Sequence, residues 1–225
     1  MRARFLMPSM DMTDLEEAVR LARAVASDDF VSSFKFGFAL GLSAGLPAAV
    51  RAFRAFTQKP IVYDHQKAGT DIPDTGVLFA KTMRAAGIDE AILFPQAGPV
   101  TLEAWVKALQ DAGIVPVVGA VMTHKGFTQS EGGYLSDAGM LSAYELAAKL
   151  GVRKFVVPLT KPAVAESVAW PEGSVFYSPG FGAQGGDPHA FAQLPEHHLI
   201  AGRSLAAATD AAAYVRQVAA EYGAP

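Results

Sequence analysis

The chain has no cysteine among its 225 residues. That excludes disulfides, thiol nucleophiles and cysteine-ligated zinc, and it is compatible with the cytoplasm. It has no block of like charge: 19 Lys and Arg stand against 22 Asp and Glu, for a net charge of −3. Such a balance leaves no basic footprint for nucleic acid. Long apolar runs are missing too. The opening MRARFLMPSMDM begins basic and reaches Asp11 after a stretch too short for a secretory leader or a membrane span. The histidines, His65, His124, His189, His197 and His198, show no HExxH or similar spacing. No metal site is expected from them, and all five are assigned surface or structural roles. The expectation is a soluble cytoplasmic protein with no nucleic-acid or membrane partner.

What the chain does have is apolar mass. Hydrophobic residues make up 51% and charged residues 18%, which argues against disorder and for one well-covered domain over residues 1–225. Short β-branched and aromatic runs alternate with alanine-rich helical patterns. Strands are predicted at 4–10, 33–38, 60–64, 90–94, 114–120, 154–158, 174–178 and 198–201. Helices are predicted between them and at 210–222. Thr13 with Glu16 reads as a capping box opening the first helix. Several helices stop at glycine, as at Gly87, Gly113 and Gly151. Eight strand signals with helix-length gaps give an α/β fold, a (β/α)8 TIM barrel, with a doubly wound sheet as the rival. The barrel is favoured because Asp11, Lys35, Asp64, Lys67, Thr123 and Arg203 fall in or just after strands. In a barrel those ends share one mouth, where active sites sit.

The densest charge lies in IVYDHQKAGTDIPDT, from Ile61 to Thr75. Asp64, Lys67 and Asp71 fall within it. An ammonium between two carboxylates is held in its charged form. The group is then a fixed cation, or a proton donor, beside two fixed anions. A solvated turn with ordinary surface ion pairs fits the same residues.

A second stretch, SPGFGAQGGDP from Ser178 to Pro188, follows the seventh strand. Its glycines let backbone N–H groups approach an anion closely. Gly202-Arg203-Ser204 follows the eighth strand. Loops after strands seven and eight, with a short helix N-terminus, form the usual phosphate site of this barrel. Pro179, Gln184, Gly202 and Arg203 are its candidates. Gly180, Gly182 and Gly185 also spell GxGxxG, but no βαβ unit follows as a dinucleotide site needs. A plain glycine-rich surface loop remains open. Gly41 to Gly45 matches GxSxG, yet no oxyanion segment accompanies it. Ser43 is read as a turn or cap residue.

Together these stretches resemble the orotidine 5′-monophosphate decarboxylase family, in the family's order along the chain. Ser9-Met10-Asp11-Met12 resembles its first-strand motif and Lys35-Phe36-Gly37 its second-strand Lys-x-Gly. Asp64 to Thr75 is similar to its signature Asp-x-Lys-x-x-Asp-Ile-Pro-x-Thr, and the two glycine-rich segments match its phosphate loops. Each interval around Lys67 is one residue longer than in that signature, as a bulge at the strand end would allow.

The resemblance implies cofactor-free decarboxylation of a nucleotide, orotidine 5′-monophosphate, to UMP by a homodimer. It implies that Lys67, Asp64, Asp71 and Lys35 are catalytic, with Asp71 and Thr75 reaching the partner's site. Asp11 would contact the ribose, Thr123 the pyrimidine, and Gln184 and Arg203 the phosphate. Residues 122–137 would be a lid. Two alternatives stand beside it: a magnesium-dependent sugar-phosphate decarboxylase or aldolase of the same barrel, and a barrel that binds UMP without catalysis.

Overall fold

The computed structural model describes residues 3–65, 69–182 and 184–223. Eight parallel strands close into a barrel in sequence order, β1 neighbouring both β2 and β8. The strands are β1 (Ala3–Met10), β2 (Phe34–Gly37), β3 (Ile61–Asp64), β4 (Glu90–Leu93), β5 (Val115–Gly119), β6 (Lys154–Val156), β7 (Val175–Ser178) and β8 (Glu196–Ala201). The helices are α1 (Leu15–Val25), α2 (Phe38–Leu40), α3 (Leu46–Arg54), α4 (Thr75–Ala86), α5 (Pro99–Asp111), α6 (Asp137–Lys149), α7 (Ala163–Glu166), α8 (Arg203–Ala206) and α9 (Ala211–Tyr222). The expected barrel is therefore the observed one. Among the described residues no helix is long and apolar enough to cross a membrane.

Strand alternation sorts the side chains into two cores. Met7, Val62, Ile92, Val117, Val156, Tyr177 and Ile200 fill the barrel interior. Leu6, Phe34, Phe36, Phe53, Ile61, Phe155 and Phe176 pack outward against the helices. Gly119 belongs to this logic: a Cβ there would stand 2.5 Å from the Phe94 ring, so glycine lets the ring in.

Three local expectations need correction. Asp14, not Thr13, caps α1; its carboxylate accepts from the Glu16 and Glu17 amides at 2.8 and 3.3 Å. Both residues are cap formers, and the ionised one also answers the helix dipole. Helix α6 takes Asp137, the last residue of the expected lid, as its first behind a Ser136 cap, and β8 begins at Glu196 rather than His198. The polar start of β8 hid it, because its polar residues find partners only in three dimensions. His198 bonds Ser32 Oγ through Nδ1 at 2.7 Å and Glu196 through Nε2 at 2.8 Å. Beside it on the barrel floor, buried Glu90 accepts from Lys154 Nζ at 2.6 Å and from the Tyr177 phenol at 2.8 Å.

His197 faces outward, stacked on Phe191 with ring centroids 5.4 Å apart. Both its nitrogens are buried without a hydrogen-bond partner among the described residues. Burial first, then the Arg4 and His198 charges, press its pKa down to about 3. The folded chain thus holds fewer protons here than the unfolded chain between about pH 6.5 and 3. The contribution is complete above the unfolded value and is lost as pH falls through that window. Stability should decline on acidification by up to about 1.4 kcal/mol per pH unit from this group. His197→Phe should flatten that slope in denaturant titrations between pH 6 and 4; an unchanged slope would remove His197 as its source.

Candidate active site

Lys35 is the centre of the described site. It lies inside β2, is only 4% exposed, and reaches Asp64 Oδ2 at 3.0 Å and Asp11 Oδ1 at 3.2 Å. Burial alone would lower its pKa, but the Asp64 and Asp11 carboxylates outweigh that, and the net shift is upward. It is therefore a permanent cation at neutral pH. Asp64 ends β3, and Asp11 directly follows β1. The register places Lys35 opposite Ser9 on one side and Val62 on the other, so the three ionic groups meet at the C-terminal rim. Ser9 Oγ donates to Asp11 Oδ2 at 2.6 Å and fixes the second oxygen.

Gly37 explains how Asp11 can sit there. A Cβ at residue 37 would fall 1.9 Å from Asp11 Oδ1. The glycine of the Lys-x-Gly motif is thus the space that the carboxylate occupies.

The rim opens into a cavity of about 700 Å³, within the range of small-ligand sites. Asp11, Lys35, Asp64, Thr123, Pro179, Gln184, Gly202 and Arg203 all line it, and Gly202 lies against Asp11. Ile92, Val156 and Ile200 contribute apolar lining. Eight of the eleven candidate residues thus share one cavity. Gly180, Gly182 and Gly185 all have positive φ, at 103°, 70° and 72°, where a side chain would be strained. Gly182 also lies against Ser204: a Cβ would come within 3.0 Å of Ser204 Oγ. Arg203 opens α8, is exposed, and has no carboxylate partner among the described residues.

Three candidates remain. Lys67 falls outside the described residues. Asp71 and Thr75 are not among the residues lining the cavity. Asp71 Oδ1 accepts from the Ile72 amide at 2.7 Å, and Thr75 Oγ1 donates to the Ile72 carbonyl at 2.8 Å, both at an exposed turn. Trp105 Nε1 donates to that same carbonyl at 3.1 Å, so the turn is pinned to α5.

Residues 122–137, expected as an open loop, carry their own bonds. Gln129 N donates to the Leu135 carbonyl at 2.8 Å, and Ser130 Oγ donates to Asp137 at 2.6 Å. The Ser130 bonds pull the Asp137 carboxyl down to about 2. Glu131 pairs with Lys161 at 2.7 Å, tying this segment to the loop after β6.

Sequence reading missed two contributors. Ser9 holds Asp11, and His65, assigned a surface or structural role, lines the cavity. Ser43 does act as a turn residue: its Oγ donates to the Thr13 carbonyl at 2.6 Å from the π-helical turn Gly41–Gly45.

Comparison with known proteins covers nearly the whole chain. The orotidine 5′-phosphate decarboxylase of Methanosarcina barkeri is 30% identical over 215 residues, covering 95% of this chain and 92% of that protein. The Methanosarcina mazei enzyme of the same name is 30% identical over 199 residues, covering 88% and 85%. Among solved structures, orotidine 5′-monophosphate decarboxylase from Methanocaldococcus jannaschii, complexed with the inhibitor BMP, superposes with a TM-score of 0.80. That likeness covers 96% of this chain and 97% of the other at 24% identity, and it speaks for the fold. The model of the family described as Orotidine 5'-phosphate decarboxylase / HUMPS matches residues 4–218, and the chain belongs to that family.

Proposed function

We propose that this protein catalyses the cofactor-independent decarboxylation of orotidine 5′-monophosphate to UMP, a step of pyrimidine biosynthesis, in the cytoplasm. The observation that carries the reading is the Asp11–Lys35–Asp64 array sharing one cavity with the glycine-rich loops and Arg203. The curated relatives that match nearly the whole chain bear the same activity in their names.

Loss of carbon dioxide leaves an electron pair at pyrimidine C6, with no carbonyl π-system to take it up. A fixed cation beside that carbon is the remaining way to stabilise it. Lys67 supplies the cation, then transfers its proton to C6 and recovers one from solvent. Asp64 stands near the departing carboxylate. Lys35 orients Asp64 and the ribose, Asp11 contacts a ribose hydroxyl, and Thr123 the pyrimidine. Gln184, the Pro179–Gly180 backbone, Gly202 and Arg203 hold the phosphate, whose remote binding energy lowers the barrier at the reacting carbon.

Asp71 and Thr75 act on the partner's site in a homodimer. Ile72, Val77, Leu78 and Val100 are large apolar side chains exposed beside that turn, as a surface that meets a second copy would be.

The test is loss of orotidine 5′-monophosphate absorbance in the presence of EDTA. EDTA-insensitive turnover separates this reading from a magnesium-dependent sugar-phosphate lyase. UMP binding without turnover would leave a non-catalytic barrel. Within this reading, Arg203→Ala should weaken phosphorylated ligands by about 10- to 100-fold, the value of a charge-assisted fork. Phosphate-free nucleoside should bind the variant as it binds the wild type, and equal losses for both ligands would take Arg203 out of the phosphate site.

A further inference from the structure

We propose that α9 frames the phosphate site: Tyr214 fastens the loop after β8 through Ser204, and Tyr222 fastens the loop after β7 through Phe181, so both tyrosines are positioning residues for the phosphate. The proposal rests on the functional reading above and deepens it.

A phosphate site made of two loops works only while the loops keep their spacing. Neither loop is stiff by itself. Gly180, Gly182 and Gly185 of the first sit at positive φ, and glycine loses the most freedom when it is ordered. The second leads into α8, a helix of only four residues. The two loops meet at Ser204: a Cβ on Gly182 would stand 3.0 Å from its Oγ. Phe181, Arg203 and Ser204 all line the cavity. A displaced Ser204 would therefore be felt by both loops.

Both loops lean on the same helix. The Tyr214 and Ser204 hydroxyls lie 2.8 Å apart, between residues on different helices. Burial pushes the Tyr214 phenol upward, so it keeps its proton and can donate. The Tyr222 ring stands edge-on to Phe181, with centroids 5.5 Å apart, a favoured aromatic geometry. It also lies 4.8 Å from the ring of His189, in the turn Pro188–Phe191 that follows the glycines. The helix that carries both tyrosines is firmly seated. The Asp210 carboxylate accepts from the Ala213 amide at 2.9 Å at its start. Val215 and Val218 are buried. At its end, a Cβ on Gly223 would stand 3.1 Å from the Phe30 ring. A bare docking of α9 onto the barrel would make the same contacts matter for stability alone, so the test must read ligand preference.

The experiment measures Kd for UMP and for uridine, kcat and KM for orotidine 5′-monophosphate, and Tm. The variants are Tyr214→Phe, Tyr222→Leu, Ser204→Ala, the double variant Tyr214→Phe with Ser204→Ala, and Val215→Ala. Tyr214→Phe keeps the ring and removes only the hydroxyl. Tyr214→Phe and Tyr222→Leu should each weaken UMP binding by about 3- to 10-fold, the value of one hydrogen bond or one aromatic pair. KM for orotidine 5′-monophosphate should rise alike, and uridine affinity should hold. Because Tyr214 acts through Ser204, adding Tyr214→Phe to Ser204→Ala should cost nothing further. Val215→Ala opens a cavity in the core and should lower Tm, yet leave the preference for UMP over uridine unchanged. Wild-type UMP affinity in either tyrosine variant overturns the proposal. So do equal losses for UMP and uridine, additive losses in the double variant, or a changed preference in Val215→Ala. Wild-type protein that binds UMP without turning over orotidine 5′-monophosphate would overturn the decarboxylase reading alone; wild-type protein that does not bind UMP would overturn both.

Discussion

Lys67→Ala should lose turnover of orotidine 5′-monophosphate by more than about 10⁴-fold, combining a lost proton donor with a lost electrostatic partner. UMP should still bind, because the phosphate loops and the Lys35 array are intact. Near-ultraviolet circular dichroism and Tm should match the wild type. Retained activity would end the proton-donor assignment outright. The same variant also tests shared sites: mixed with Asp71→Ala protein, it should regain part of the activity, since a mixed dimer contains one site with neither lesion. No recovery despite demonstrated subunit exchange would confine Asp71 to its own chain.

Lys35→Met should show the largest effect on stability. It removes a buried ammonium from between two carboxylates, of which Asp64 is only 13% exposed. Breaking a buried pair in this way destabilises by about 3–5 kcal/mol. Asp11 is 45% exposed and keeps water as a partner, so about 3 kcal/mol is expected, with Tm lower by about 6–12 °C. Adding Asp64→Asn should restore much of that stability, since removing both partners of a pair is close to neutral. Activity should not return in the double variant, because the charge array is gone. A Lys35→Met protein that melts like the wild type would show that the ammonium is replaceable, against its burial.

The barrel was legible because its strands are short apolar runs and its helices end where glycine takes a left-handed turn, as Gly87 does at φ 80°. Asp11, Lys35, Asp64 and Arg203 were legible because charge at the ends of apolar strands needs a reason. What escaped depended on proximity rather than pattern. Gly37 reads as a motif position, but that it makes room for Asp11 is visible only where β1 and β2 lie side by side. Glu196 and His197 read as the end of a loop, because His198, which Glu196 holds, has its other partner Ser32 far away in sequence. His65 looked like surface because nothing in its spacing announces Tyr63, whose hydroxyl lies 2.6 Å from its Nδ1. Asp71 and Thr75 are not among the residues lining the cavity of their own chain, which their spacing from Asp64 did not reveal.

The pairing of β1 with β8 runs from Ala3 opposite Glu196 to Pro8 opposite Ala201. It joins the first strand made to the last. During synthesis one flank of β1 must therefore wait, its backbone groups unsatisfied, until the sequence through β8 has emerged. An unpaired edge of that kind invites association with other chains, and closing it is slow because so much intervening sequence must already be in place. Gly202 and Arg203 follow β8 directly, so under the proposed function the nascent protein acquires its hold on phosphate only at that closure. Phosphorylated ligand should then favour the sealed form over partly assembled ones.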